Sequence, residues 1–165
     1  MSRRIAKIVI HCAASPNGRR LSSTYLSATQ VIDEWHRERG FKRDWRKRTE
    51  FNPGLGHIGY HYVVDTDGCV HSGRAVDEIG AHAFGHNIDS VGICLVGTDK
   101  FTVKQWASLR ELVQTIRQNW PNAQVLGHRD LPGVAKECPG FDVYAWETGS
   151  REPVHGHICE EEPIK

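Results

Sequence analysis

Residues 91–96 read VGICLV, six positions without a charged or strongly polar side chain. A strand with one wet face alternates apolar and polar residues, whereas a strand buried on both faces does not. This run therefore requires structure above and below it and is the candidate central strand of a sheet. Residues 5–10 (IAKIVI) alternate weakly and then run apolar, giving a second buried strand. YHYVV at 60–64 gives a third. The DTDG that follows is a hairpin signal leading into a short strand, CVHSGR. QVLG at 124–127 is a last short strand.

Helical spacing fills the intervals. Val103, Trp106, Leu109, Leu112, Val113, Ile116 and Trp120 form an apolar stripe over 103–120. Thr102 and Gln105 match a capping box there, and Pro121 marks the stop. Residues 22–39 read as a second helix, with serines for an N-cap, Gly40 at C′, and Leu26, Ile32, Trp35 and Arg39 near one face. Residues 41–57 are basic, lack periodicity and read as an inserted loop. Residues 75–90 read as loop with one helical turn, and 141–147 as a further helical turn. The polar and acidic stretch 148–165 reads as a flexible tail following a domain that spans 1–147. The order β, α, β-hairpin, β, α, β predicts a single α/β domain, a mixed central β-sheet flanked by helices.

The 165 residues suffice for one core, and 39% hydrophobic with 25% charged residues is ordinary for a soluble domain. A net charge of +1 points to no particular partner. Residues 1–50, however, carry twelve basic against five acidic side chains. Such a face can attract an anionic polymer, although a solvated surface is the more ordinary reading. No apolar run approaches the roughly 18 residues of a membrane span, and the N-terminus does not read as a signal peptide. Five cysteines at irregular spacing do not make a disulfide framework, so reduced thiols and synthesis in the cytoplasm are expected.

The chemistry-bearing residues are far apart. His11 closes the run IVIHC, while His128 and Cys138 sit in VLGHRDLPGVAKECPG. Two imidazoles and a thiolate are three ligands for a tetrahedral zinc ion, with a fourth position left open, whereas a structural zinc normally takes four. Lys136, two residues before Cys138, could stabilise an oxyanion. Tyr60 could orient or deprotonate a water. Without HExxH or paired CxxC, spacing alone leaves the bland alternatives open: a core histidine, a small buried cysteine and a surface lysine. His57, His61, His71 and His86 carry less weight, as does the tail cluster His155, His157 and Cys159. Trp35, Trp106 and Trp120 read as core, and Trp45 could pack on sugar rings.

Four segments in order, IVIHCAAS, GYHYVVDTDGCVHSGR, GAHAFGHNIDSVGICLVG and GHRDLPGVAKECPGFD, resemble the zinc-dependent N-acetylmuramoyl-L-alanine amidases of type 2. That family includes phage lytic amidases, wall-recycling amidases and peptidoglycan recognition proteins. The match resembles the phage enzymes most. It implies one Zn²⁺ per chain on His11, His128 and Cys138, catalytic roles for Tyr60 and Lys136, and a substrate-groove role for His82. Certain recycling enzymes use a glutamate where this chain has Cys94. The spacing from His128 to Cys138 is two residues longer than in close phage relatives.

The implied fold is amidase/peptidoglycan-recognition-like. The implied activity is cleavage of the amide between N-acetylmuramic acid and L-alanine. The implied partner is bacterial peptidoglycan, met by a monomer without nucleic acid or membrane insertion. A phage or prophage endolysin fits, waiting in the cytoplasm until a holin opens the membrane. A cytoplasmic recycling amidase and a non-catalytic peptidoglycan-binding module are the alternatives.

Overall fold

The computed structural model describes residues 3–164. Five strands, β1 (Lys7–Cys12), β2 (Tyr62–Val64), β3 (Val70–Ser72), β4 (Ser90–Leu95) and β5 (Gln124–Gly127), form one sheet. Their order is β3-β2-β4-β1-β5. β1 runs parallel to both β4 and β5, β2 is parallel to β4, and β3 closes the edge as the antiparallel arm of the hairpin. The apolar run is thus the middle strand, and all six residues of β4 are buried.

Period-two alternation assigns the faces. Ile8, Ile10, Val64, Val91, Ile93 and Leu95 enter a core that includes Trp106, Leu109 and Val113 of α3 (Val103–Asn119). Trp106 is 1% exposed and packs edge-on against Phe101 and Phe141. Val63, Cys94 and Val96 enter a second core with Ala28 and Ile32 of α1 (Ala28–Glu38). His11 alternates with Ile10 and lies in register with Cys94, so it takes this second face. α3 keeps the expected capping box between Thr102 and Gln105, although Val103, expected in its stripe, is 59% exposed.

α1 is shorter than 22–39. It starts after Ser27, which forms a capping box with Gln30 and satisfies the first free N–H groups. Its buried face is Ala28, Thr29, Ile32 and His36, whereas Trp35 is 37% exposed and is not core. The reason is polar. Asp33 accepts the backbone N–H groups of His57 and Ile58, and His36 Nδ1 accepts that of Gly59. The helix is oriented by the chain it must hydrogen-bond, not by its largest apolar residue.

Residues 41–57 contain a short helix, α2 (Trp45–Glu50), and are anchored by Arg43. Its guanidinium pairs with buried Glu78 at 2.9 Å and donates to the carbonyls of Phe51, Asn52 and Leu55. After α4 (Val143–Thr148), the stretch read as a flexible tail packs back on the domain. Phe101 and Ile158 form a bridge, Trp106 Nε1 donates to the His157 carbonyl, and Glu162 N–H donates to the Gly18 carbonyl. Three of its acidic groups are paired, Glu152 with Arg110, Glu161 with Arg20 and Glu162 with Arg19. No helix among the described residues is long and apolar enough to cross a membrane.

Candidate active site

His11 is the fifth residue of β1, and His128 follows β5 directly, opening a single 3-10 turn over His128–Asp130. β1 and β5 are neighbours, with Ile10 opposite Gly127, so both imidazoles emerge at the same end of adjacent strands. Strand ends of α/β sheets are where such sheets place ligands. Asp130 accepts the Gly127 N–H at 2.8 Å and pins the turn. Arg129 N–H donates to the Cys138 carbonyl at 2.8 Å, which folds the 131–138 loop back over the site. The Cys138 sulfur in turn accepts the Cys12 backbone N–H at 3.2 Å.

These constraints bring one donor atom each from His11, His128 and Cys138 within 4.8 Å of one another. It is the one such group of three potential metal ligands among the described residues. The His11 and His128 rings lie 4.5 Å apart. Burial holds His11 well below the usual imidazole range, helped by the charges of His128 and Lys136. Burial and Lys136 lower His128 in the same sense. Both rings are therefore neutral and keep a lone pair to give. The Cys12 and Cys138 side chains act on each other, and the Cys138 sulfur lies against the Cys12 backbone. The side-chain interaction brings the Cys12 thiol down to about 7, and together with burial it raises Cys138. A cation held between the imidazoles would reverse this preference, because Cys138 is the sulfur that lies with them.

Tyr60 stands beside His11, with ring centroids 5.1 Å apart, and beside His36 at 5.2 Å. Burial, then the neighbouring cysteines Cys94, Cys138 and Cys12, pushes its phenol well above the ordinary value. Cys94 is also buried and also pushed well up by burial. Tyr60 thus keeps its proton and offers it as a donor. Lys136 is exposed on the loop over the site, close enough for its charge to act on both imidazoles.

His82 does not stand free in a groove. Its Nδ1 is 2.9 Å from His11 Nε2, and its Nε2 is 3.2 Å from Ser90 Oγ. His61 is fully buried and lowered to about 3, first by burial. It accepts the Gly92 N–H at Nδ1 and meets the Glu78 carbonyl at Nε2. His57 Nδ1 contacts the Phe41 carbonyl and His157 Nδ1 the Asp99 carbonyl, so both serve backbone, not a metal. Trp45 is 70% exposed on α2. A separate groove of about 650 Å³ lies between residues 19–24 and the C-terminal stretch. It offers no imidazole or thiol, and its arginines are paired with Glu161 and Glu162.

Three contributors to the site are absent from the sequence reading, and one of them leaves a signal there. The Cys12 N–H behind Cys138 is a backbone group and leaves no signal. His36, which holds the segment before Tyr60, reads as one more polar helix residue. Gly92 does leave a signal, since a glycine inside an apolar strand marks a close approach.

The chain is similar to known proteins over most of its length. The chain is 31% identical over 147 residues to an endolysin of Escherichia phage T7, covering 84% of this chain and 83% of that protein. It is 29% identical over 149 residues to an endolysin of Enterobacteria phage K11, covering 86% and 84%. The structure of the N-acetylmuramoyl-L-alanine amidase LysC from Clostridium intestinale superposes with a TM-score of 0.66 at 26% identity, covering 88% of this chain and 83% of that one. The family model Amidase_2, N-acetylmuramoyl-L-alanine amidase, matches residues 1–141, the stretch that contains every residue of the cluster. The chain belongs to the type 2 N-acetylmuramoyl-L-alanine amidase family.

Proposed function

We propose that this protein hydrolyses the amide bond between N-acetylmuramic acid and the L-alanine of the peptidoglycan stem peptide, using a zinc ion held by His11, His128 and Cys138. The observation that carries the reading is the convergence of two neutral imidazoles and one thiol within 4.8 Å, inside the segment matched by the family. The donor set fits zinc, which accepts nitrogen and sulfur ligands and stays catalytic when the protein supplies three. When bound, the ion supplies Lewis acidity and lowers the pKa of a water toward about 7.

The chain's own residues do the rest. Burial keeps His11 and His128 unprotonated, and the Cys12 N–H steadies negative charge on the Cys138 sulfur. Tyr60, protonated and packed on His11, donates a hydrogen bond that orients an oxygen at the site. It does not act as a phenolate base. Cys94, buried and neutral, is no base either. Lys136 brings an ammonium to the oxygen on which charge develops, an effect worth roughly 3–4 kcal/mol for one good donor. The departing alanine amine needs a proton, and Lys136 and Tyr60 are the two proton-bearing side chains at hand.

The biological role that fits best is that of a phage or prophage endolysin acting on bacterial peptidoglycan, supported by 29–31% identity to phage endolysins over most of both chains. Digestion of purified sacculi tests the activity. New L-alanine N-termini should appear with zinc and vanish with chelator, and their absence from zinc-loaded protein would contradict the reading. Preference for intact wall over soluble anhydro-muropeptides separates the lytic role from recycling.

A further inference from the structure

Gly92 interrupts the apolar run of β4, and the reason lies in what covers it. A Cβ built on Gly92 would fall 2.5 Å from Cγ and 2.8 Å from Nδ1 of His82. One built on Gly80 would fall 2.7 Å from His82 Cδ2. Two glycines therefore keep open the slot in which the His82 ring sits, edge-on to His11 at 5.0 Å. Asn87 fixes the backbone on that side, its Oδ1 accepting the N–H groups of His82 and Ala83 at 2.9 Å each.

The hydrogen bonds through this ring have a direction. Ser90 Oγ lies 2.7 Å from the His86 carbonyl oxygen, which can only accept. The single hydroxyl hydrogen of Ser90 is thus committed to His86. Ser90 Oγ can meet His82 Nε2, 3.2 Å away, only as an acceptor, so Nε2 carries the proton of the neutral His82 ring. His82 Nδ1 is then a bare lone pair, and across 2.9 Å it accepts a hydrogen from His11 Nε2. His11 is left with its lone pair on Nδ1. The reverse polarity would place a hydrogen on His11 Nδ1, close that nitrogen to any cation, and leave two acceptors, Ser90 Oγ and the His86 carbonyl, without a shared proton.

We propose that His82, set by Ser90, is a positioning residue that fixes the tautomer of His11 so that Nδ1 is the nitrogen presented to the metal. This gives His82 a place behind the ligand, not against the substrate, and explains why a glycine occupies the centre of the middle strand. Metal-ligating histidines commonly have their second nitrogen fixed in this way, and loss of the partner typically costs 10–100-fold in metal affinity.

The inference rests on the zinc reading, and the test keeps the two apart. Zinc dissociation constants of the wild type, His82→Ala and His82→Gln are measured by competition with a chromophoric chelator. The His11 tautomer in the metal-free wild type is read by long-range proton–nitrogen correlation NMR. His82→Ala should bind zinc 10–100-fold more weakly. His82→Gln should recover most of that loss, because its amide can accept from His11 and donate to Ser90. The NMR experiment should find the proton on His11 Nε2. If the alanine variant does not fold, the glutamine variant and the wild-type tautomer decide. An alanine variant as tight as wild type, or a proton on His11 Nδ1, would overturn the role of His82 alone. A wild-type protein that takes up no zinc would overturn the metal reading itself.

Discussion

Arg43, Glu78 and Arg74 form one buried polar cluster, and His11, His82 and Ser90 form a second, partly buried one. In the first, the side chains are 0%, 2% and 5% exposed and carry full charges. Glu78 takes two nitrogens of Arg43 and lies 3.4 Å from Arg74. The other Arg43 hydrogens go to the carbonyls of Phe51, Asn52 and Leu55, and Arg74 donates to those of Lys42, Ile58 and Ile79. Arg43 has no hydrogen left over. In the second, burial keeps both imidazoles neutral, and each group passes on a single hydrogen. One lone pair remains at the end. A cluster closed around a saturated Arg43 anchors the 41–57 segment to the 75–80 loop, whereas a cluster that ends on a bare lone pair can receive a ligand. The two meet at His61, which contacts the Glu78 carbonyl and stands 5.8 Å from His82.

The comparison can be broken most sharply at Glu78. Glu78→Ala strands two buried guanidinium groups and should cost about 3–5 kcal/mol of stability in urea unfolding. Zinc affinity of the folded fraction should hold. A loss below about 1 kcal/mol would mean that the cluster is not the anchor described. Lys136→Ala should do the opposite, leaving stability and zinc content intact while turnover on sacculi falls roughly 10²–10³-fold. An unaffected turnover would remove Lys136 from the chemistry.

His61 links the clusters and predicts a pH effect. Its folded pKa of about 3 lies below the roughly 6.5 of an unfolded histidine. The unfolded chain therefore binds a proton first, and stability is present above pH 6.5 and lost as pH falls toward 3. The slope from this group approaches about 1.4 kcal/mol per pH unit, and His61→Gln should flatten it in a urea-midpoint series. The smallest effect belongs to Arg110→Ala. The Arg110–Glu152 pair is as short as Arg43–Glu78, 2.8 against 2.9 Å, but its side chains are 45% and 60% exposed. Its loss should change stability by only about 0.2–1 kcal/mol. A larger change would mean that distance, not burial, sets the energy of these pairs.

What was legible in the sequence divides along the same line. β4 and α3 were plain, because burial on two faces and an apolar stripe are local patterns. α1 was misread at Trp35, since its buried face is set by partners 23–25 residues away that hydrogen-bond to Asp33 and His36. The 41–57 and 148–164 stretches look loose for the same reason. Their anchors, Arg43 on Glu78 and Glu161 on Arg20, are long-range ion pairs that no periodicity encodes. At the site, the ligand types and the family motifs were readable. The adjacency of β1 and β5, and the direction of hydrogen bonds through His82, needed three dimensions.

The central claim is a three-ligand metal centre, and X-ray absorption at the zinc edge of stoichiometrically loaded protein tests it most directly. The account predicts one zinc per chain with two nitrogen scatterers at about 2.0–2.1 Å, one sulfur at about 2.3 Å and one light scatterer from solvent. Cys138→Ala should lose the sulfur shell. A zinc without sulfur in its first shell, or one with two sulfurs and no open position, would contradict it.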